Sequence, residues 1–450
     1  MSISQRFEKV IKGLLPAPFT IAVLLTFFTF MLALVITEPK TEGNHFIQIL
    51  SSWEKGIWNS PLLVFAMQMM LMLVLGHALA LSTPISKIIS KGVKYCNNTA
   101  SAAAIITFFT LLVSLFNWGL GLIFGAIFAR KVGENASAQN IKINYPLIGA
   151  AGYSGLMVWH GGISGSAPIK IAEEGHFLAN KIGVISQSET IFSTMNISIS
   201  VILLITLPLI MYFLGKQNAG INLTISPGLK EEEEKKNKIT LTERLDHSTI
   251  LAWLFGGVII FYTFYKAIIL PEKISLSVIT PNYINLVLLG SAILMHKSFF
   301  NFLKAIDSAI VGSSGILIQF PLYFGIMGIM NHSGMIDIMS SFFVSISNEN
   351  SFPIFTFISA GIVNVFVPSG GGQWAVQGPI IIEAANQLNI SIPKSVMALA
   401  YGDQLTNMLQ PFWALPLLGI TGLKAKEILP YTLILLIIGS VIFISGLLIF

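Results

Sequence analysis

The chain has 450 residues, of which 54% are hydrophobic and 10% are Asp, Glu, Lys or Arg. A soluble domain carries about 25% charged residues, so this composition and the mean hydropathy of +0.77 exclude a soluble fold and indicate a polytopic membrane protein. The net charge of +5 comes from scattered lysines rather than from a basic stripe, which excludes nucleic-acid binding. The single cysteine, Cys96, excludes an intramolecular disulfide, and the lack of a phosphate-binding glycine loop excludes ATP-driven pumping.

Nine stretches are long and apolar enough, or nearly so, to cross a bilayer, since a spanning helix needs about 20 such residues. In chain order they are 17–37, 61–81, 145–169, 191–214, 249–265, 282–295, 308–331, 395–423 and 428–450. The first stretch is too long for a signal-peptide core, so we expect a retained helix. Asp403 interrupts the stretch 395–423, and the amphipathic stretch 334–348 is expected on the outer surface.

Two uncharged runs, 101–129 and 352–382, are too long for one straight helix. A helix of the first length would measure about 43 Å, against a hydrocarbon core of about 30 Å. Polar residues and glycines interrupt both runs, which predicts two re-entrant hairpins. With a cytoplasmic N-terminus, this topology places 19 of the 26 Lys and Arg residues inside, as the positive-inside rule favours.

The same order of elements occurs twice: two helices, a hairpin, an interrupted helix and a final helix. Residues 1–215 form the first predicted membrane repeat, 216–248 a solvated polar linker, and 249–450 the second repeat with one extra leading helix, 249–265. The extra helix inverts the second half. The expected fold is therefore an all-α, inverted-repeat transporter with two re-entrant hairpins and broken helices.

Polar interruptions recur in register in the two halves, and such interruptions mark the substrate site of a transporter. Asn117 lies 47 residues before Ser164, and Asn364 lies 43 residues before Asn407. Unwound backbone survives in lipid only where it is buried or lines a cavity. We therefore expect the hairpin tips and the broken helices to meet near the midplane.

Glycine-rich helix starts suit an anion, because free N–H groups and the positive end of the helix dipole face it. No Lys or Arg is expected in this central region, which favours a small monoanion over a dianion. The predicted substrate-binding residues are Asn117, Trp118, Gly119, Gly121, Ser369, Gly370, Gly371, Gly372 and Gln373.

Freed carbonyls and oxygen-bearing side chains beside the breaks suit a coupling ion, either Na⁺ or a proton. Asp403 carries most weight here, because a carboxylate inside the membrane is costly and usually functional. The residues predicted to bind this ion or to relay the proton are Gly162, Ser164, Ser166, Asn364, Asp403 and Asn407.

Each feature also has a structural interpretation. Gly119 and Gly165 can serve close helix packing, Asn117 and Asn364 can join helices by hydrogen bonds, and we expect His160 to be structural rather than to titrate. Four tryptophans flank the polar motifs and can either pack or shelter a short acyl chain: Trp118, Trp159, Trp374 and Trp413.

An enzyme and a channel are the other function classes. Residues 162–165, Gly-Ile-Ser-Gly, resemble the serine motif of rhomboid intramembrane proteases, but those enzymes need a histidine on a later helix. The later histidines, His176, His247, His296 and His332, lie in polar or terminal segments, so we exclude an enzyme. A passive anion channel stays open, although its pore would need a continuous polar lining.

Several motifs resemble the bacterial short-chain fatty acid transporters. The most specific are 364–374 (Asn-Val-Phe-Val-Pro-Ser-Gly-Gly-Gly-Gln-Trp), 376–379, 394–404 and 407–416, with 65–69, 76–80, 117–119 and 128–130 in the first half. The likeness runs nearly end to end. It extends to the ion transporter superfamily, which includes sodium–dicarboxylate and citrate symporters, and it implies a scaffold domain and a transport domain that moves like an elevator, often in a homodimer.

The resemblance implies a secondary active transporter that imports butyrate-like or acetoacetate-like monocarboxylates across the bacterial inner membrane, coupled to Na⁺ or H⁺ and without a cofactor. The lipid bilayer and a small monocarboxylate are its expected partners. A transporter of another organic anion, such as a dicarboxylate, remains the alternative beside the passive channel.

Overall fold

The computed structural model describes residues 18–39, 42–217, 220–221, 241–271, 274–366 and 369–450. Over these ranges the regular secondary structure is helical, apart from one antiparallel bridge between Ile143 and Ile221. Most of the predicted polar linker, namely 222–240, lies outside the described residues, as do residues 367–368 of the second predicted hairpin tip.

The helices follow the predicted order closely. The first part of the chain forms α1 (Pro18–Ile36), α2 (His45–Ile57), α3 (Ser60–Ala80), α4 (Thr83–Val93), α5 (Thr99–Phe116), α6 (Trp118–Ala138), α7 (Tyr145–Tyr153), α8 (Ser166–Ile171), α9 (Ala179–Ile182) and α10 (Thr194–Gln217). The second part forms α11 (Leu241–Asp246), α12 (Thr249–Phe264), α13 (Pro281–His296), α14 (Phe299–Ile310), α15 (Ser314–Ser333), α16 (Met335–Ile346), α17 (Phe352–Phe366), α18 (Gly370–Gln387), α19 (Ile392–Thr406), α20 (Pro411–Thr421) and α21 (Ala425–Ile449).

Short polar side chains determine where many of these helices begin. A side-chain oxygen at the residue before the helix accepts a hydrogen bond from a backbone N–H of the first turn, which would otherwise have no partner. The residues that do this include Asn59, Asn98, Asn117, Asn144, Ser248, Thr280, Ser298, Ser369 and Ser391.

Both long uncharged runs fold into pairs of helices that lie side by side in opposite directions. In the first pair, a Cβ added at Gly121 would meet Ser114, and one added at Gly125 would lie 2.9 Å from Thr110 Cγ2. Residues at increasing distance from Asn117 on α6 thus face residues at increasing distance from it on α5, as in antiparallel helices. In the second pair, Gln373 Nε2 donates to the carbonyl of Ala360 at 2.9 Å. The chain therefore reverses at Asn117 and again between α17 and α18.

Both stretches that the sequence predicted as interrupted helices contain a break. The stretch 145–169 divides into α7 and α8, with 3₁₀ turns at Ser154–Met157 and Trp159–Gly161 between them. The stretch 395–423 divides into α19 and α20 around a 3₁₀ turn at Asn407–Leu409. The sequence placed this second break at Asp403, and the structure corrects it, because Asp403 lies inside α19 and the helix continues for three more residues.

Three amphipathic helices were missed by the hydropathy pattern: α2, α4 and α14. They are short and carry charged residues such as Lys55, Lys91 and Lys304, so no window over them reaches the apolarity of a span. The predicted amphipathic stretch 334–348 is present as α16.

Helices α17 and α19 pack closely against each other, α5 packs against α10, and α15 packs against α1 and α2. A Cβ at Gly402 would overlap the carbonyl oxygen of Phe357, so the α17–α19 contact requires glycine there. Within the described ranges, five helices are long and apolar enough to cross a membrane: Ser60–Ala80, Thr99–Phe116, Thr194–Gln217, Thr249–Ile269 and Ala425–Ile449.

Candidate functional site

The first helix break is attached to the first helix pair. The N–H of Ile163 donates to the carbonyl of Leu115 at 2.8 Å, and the N–H of Trp118 donates to Ser164 Oγ at 3.0 Å. These bonds join the break to the end of α5 and to the start of α6. The turn at Asn117 and the break around Ser164 are therefore in contact, through the neighbours of Asn117.

The second helix break is attached to the second helix pair through one asparagine. Asn364 Nδ2 donates to the carbonyl of Asp403 at 2.7 Å and to Asn407 Oδ1 at 3.1 Å. Gln410 Nε2 donates in turn to the carbonyl of Asn364. Asn364, Asp403 and Asn407, which the sequence grouped together, are therefore neighbours.

Buried hydrogen bonds join the two breaks to each other. Gln404 Oε1 accepts from the N–H groups of His160 at 2.9 Å and Gly161 at 3.2 Å. The Tyr153 hydroxyl donates to the carbonyl of Asn407 at 2.9 Å. His160 Nδ1 lies 2.6 Å from Asp403 Oδ2, and both side chains are almost fully buried.

A narrow cavity of ≈ 20 Å³ lies where the breaks and the second helix pair meet. It is lined by Met69, Trp118, Leu156, Trp159, Ser166, Phe320, Ser369, Gly370, Gly371, Asn407 and Trp413. Three of the lining rings contact one another, with centroids 5.7 Å apart for Trp118–Trp159 and 5.2 Å apart for Trp118–Trp413. A space of this size holds about one water molecule.

Hydrogen-bond donors are concentrated around this cavity. The indole Nε1–H groups of Trp118 and Trp159 are buried, and neither has a partner among the described residues. The first turn of α18 contributes the N–H groups of Gly370 and Gly371, which have no intrahelical acceptor because they begin the helix. This combination of N–H donors and aromatic walls suits an anion with a short apolar part.

The structure separates the residues predicted to bind substrate. Trp118, Ser369, Gly370 and Gly371 line the cavity, whereas the other five occupy positions explained by packing or backbone contacts. Asn117 caps α6, Gly119 approaches the backbone of Leu73, Gly121 packs on Ser114, Gly372 packs on Tyr323, and Gln373 bonds to Ala360.

The residues predicted to serve the coupling ion are also divided. Ser166 and Asn407 line the cavity, Asn364 and Asp403 lie directly behind it, and Gly162 and Ser164 contact the first helix pair. Asp403 Oδ1 is buried and accepts no hydrogen bond from the described residues.

One basic residue is buried nearby, contrary to the expectation for the central region. Lys170 Nζ lies 2.5 Å from Glu173 Oε2, 3.1 Å from Gln68 Oε1 and 5.5 Å from the ring centre of Phe65. Its charge is therefore paired, and Lys170 does not line the cavity.

Sequence reasoning undervalued His160 and passed over Gln404 and Tyr153. The available signals were the position of His160 between Trp159 and two glycines, and the position of Gln404 beside an intramembrane carboxylate. Neither signal reveals that the two breaks, more than 240 residues apart in the chain, meet at these side chains.

Comparison with known proteins gives a consistent result. The family model described as "Short chain fatty acid transporter" matches residues 1–450. A protein of Escherichia coli (strain K12) named "Putative short-chain fatty acid transporter" is 38% identical over 453 residues, covering 100% of this chain and 99% of the relative. A protein of the same name from Haemophilus influenzae is 37% identical over 457 residues, covering 99% and 98%.

Two solved structures share the fold. The YdaH transporter of Alcanivorax borkumensis, described as having an unusual topology, has a TM-score of 0.60 at 12% identity, covering 96% of this chain and 98% of its own. MtrF of Neisseria gonorrhoeae, described as illuminating a class of antimetabolite efflux pumps, has a TM-score of 0.60 at 13% identity, covering 98% and 97%. At these identities the likeness concerns the architecture alone, an all-helical transporter fold.

Proposed function

This chain belongs to the short-chain fatty acid transporter family, and we propose that it is a secondary active transporter that imports butyrate-like or acetoacetate-like monocarboxylates across the inner membrane. The family is one of multi-pass membrane transporters rather than enzymes. In the serine motif at residues 162–165, Ser164 Oγ accepts a hydrogen bond from the N–H of Trp118.

The donor set of the cavity is the observation that carries this proposal. The cavity is lined by Trp118 and Trp159, whose indole N–H groups have no partner among the described residues, and by Gly370 and Gly371 of the first turn of α18. Its remaining lining is mostly aromatic and apolar, and no Lys or Arg lines it. Neutral N–H donors stabilise one carboxylate, while the indole rings accommodate a short chain. A dicarboxylate would place its second charge against the same apolar walls without a counter-charge.

Substrate entry requires the cavity walls to separate. A carboxylate with a two- or three-carbon chain needs more room than the one water that ≈ 20 Å³ admits. The wall opposite Gly371 is Phe320 of α15, whose Cζ would lie 3.0 Å from a Cβ at position 371. A displacement of the helix breaks and α18 relative to α15, as in an elevator-like cycle, would open this side.

Several finer features belong to the same proposal. The two halves, 1–215 and 249–450, would form an inverted repeat with re-entrant hairpins at α5–α6 and α17–α18, and the N-terminus would be cytoplasmic. The group formed by Asn364, Asp403 and Asn407, with the break at residues 162–166, would couple transport to a cation. A homodimer would hold the outer helices in place while the breaks move.

The test is saturable butyrate exchange in proteoliposomes at pH 7.5, where the carboxylic acid is almost fully ionised and passive leakage is low. Liposomes loaded with unlabelled butyrate should accumulate ¹⁴C-butyrate transiently, and unlabelled acetoacetate should compete better than citrate or succinate. Gly371→Val fills the donor-lined space against Phe320, so it should abolish exchange. Gly419→Val is the matched control, because a Cβ there meets nothing within 4 Å.

Absence of saturable exchange by the wild-type protein would reject the substrate assignment, and normal exchange by Gly371→Val would reject the cavity as the binding site. Competition by dicarboxylates alone would favour a transporter for another organic anion. Flux that never saturates would favour a channel.

A further inference from the structure

The buried pair formed by His160 and Asp403 has a geometry that identifies where a transported proton would reside. The N–H of Ala167 donates to His160 Nε2 at 3.1 Å, so this nitrogen carries no proton. A neutral imidazole holds its one proton on the other nitrogen. His160 Nδ1–H therefore donates to Asp403 Oδ2, 2.6 Å away.

This arrangement leaves one position open for an additional proton. Protonation of His160 at Nε2 would sacrifice the bond from Ala167, whereas Asp403 Oδ1 is buried and has no partner among the described residues. An ionised Asp403 would be a buried negative charge that receives a hydrogen bond from one side chain only, His160, among the described residues. Such a charge is unfavourable in a low-dielectric interior. A proton on Oδ1 removes that charge.

Among the residues that the structure describes, the elements packed around Asp403 supply it with no other cation. Lys170, on the helix that begins beside Ala167, is paired with Glu173 at 2.5 Å. The hydroxyl of Tyr153 donates to the carbonyl of Asn407, and that of Tyr401, on the helix of Asp403, donates to Asn196 Oδ1. In the described part of the chain, the only ion-pair partner of Asp403 is His160.

The pair lies directly behind the cavity wall. A Cβ at Gly370 would be 2.7 Å from Trp159 Cη2, 2.9 Å from His160 Cε1 and 3.1 Å from Asp403 Oδ2. Trp159 stacks on the His160 ring with centroids 4.4 Å apart. A carboxylate bound at Gly370 and Trp159 would thus be a near neighbour of Asp403, and two like charges in a low-dielectric site repel strongly.

We propose that Asp403 Oδ1 carries the coupling proton, taking up one proton with each monocarboxylate bound and releasing it on the other side, with His160 as the positioning residue that holds Oδ2. This inference rests on the proposed monocarboxylate function. Because linkage is reciprocal, the bound anion favours the proton and the proton favours the anion. The loaded site then gains no net charge.

The decisive measurement is the number of protons taken up per butyrate bound. Isothermal titration calorimetry of the full chain in nanodiscs, with choline butyrate and two buffers of different ionisation enthalpy, gives this number between pH 6.5 and 8.5. In the alkaline part of this range the wild-type protein should take up close to one proton. Its apparent Kd should rise about tenfold per pH unit, the linkage expected for one coupled proton.

Asp403→Asn should bind butyrate with no proton uptake and no pH dependence. Asp337→Asn, which neutralises an exposed carboxylate on α16, is the matched control and should behave as the wild type does. His160→Ala removes the donor to Oδ2, so the proton should bind more readily and the fall in affinity should move to higher pH.

Butyrate binding by the wild type without proton uptake, or a requirement for Na⁺ in place of the proton, would overturn the inference. Proton uptake that persists in Asp403→Asn would overturn the assignment to this carboxylate. If the wild-type protein bound no butyrate at any pH, the proposed function itself would fail, which is a different result. Should Asp403→Asn fail to fold, an unchanged pH profile in His160→Ala would contradict the inference.

Discussion

Replacing Trp159 by phenylalanine isolates the contribution of one N–H donor to substrate binding. The Nε1–H of Trp159 is buried without a partner among the described residues, so its removal breaks no hydrogen bond of the protein itself. A hydrogen bond to a charged group contributes about 1.5–3 kcal/mol. Loss of such a bond to the carboxylate would raise the Kd for butyrate about 10- to 150-fold, since each 1.4 kcal/mol is a factor of ten.

The matched control is Trp53→Phe, because Trp53 Nε1 is likewise buried without a partner but belongs to the α1–α2–α15 region, away from the cavity. Trp53 does not line the donor-bearing cavity, so Trp53→Phe should leave the affinity for butyrate unchanged. Calorimetric titration with butyrate at pH 7 compares the two. Equal affinities for Trp159→Phe and Trp53→Phe would refute the role given to the indole N–H.

Two further predictions concern stability. Gly402→Ala places a methyl group into the carbonyl of Phe357, and overpacking of this kind costs about 1–3 kcal/mol; the melting temperature should fall well below that of Gly419→Ala, and equal values would contradict the packing argument. Burial lowers the pKa of His176, against an opposing hydrogen bond to the carbonyl of Gly183. Its neutral form therefore stabilises the fold above about pH 6.5, and this stability is lost as the pH falls below that value. Residues 172–185 should show faster hydrogen exchange at pH 5.5 than at pH 7.5 after correction for intrinsic rates, and His176→Asn should remove the difference.

The positions of the long apolar helices followed from hydropathy and from the residues that stop a helix, whereas the amphipathic helices α2, α4 and α14 did not. The chain can reverse at Asn117 because its side chain accepts from the N–H of Leu120 in the first turn of α6, which would otherwise need water. At the first break the N–H of Ala167, in the first turn of α8, is satisfied instead by His160 Nε2. The sequence grouped Asn364 and Asn407 only as candidates for the coupling ion, and the structure adds that Asn364 Nδ2 donates to Asn407 Oδ1.

The roles of individual glycines could not be read from the sequence. Gly121 and Gly371 both occur in glycine-rich helix starts, yet Gly121 packs on Ser114 and Gly371 borders the cavity. The difference depends on which neighbouring helix approaches each position. His160 likewise gained significance only when the fold placed Asp403 beside it, a long-range contact with no local signal.

The two helix pairs are anchored unequally. In the first pair, hydrogen bonds join the end of α5 and the start of α6 to the adjacent break, from Ile163 to Leu115 and from Trp118 to Ser164. In the second pair, Asn364 is fastened to its break, but residues 369–372 form hydrogen bonds only within their own helix among the described residues. The two sides of the site are therefore held in different ways. The N–H of Trp118 is held by a hydrogen bond to Ser164, whereas the start of α18 meets the site through packing, since a Cβ at Gly370 would lie 2.7 Å from Trp159 Cη2.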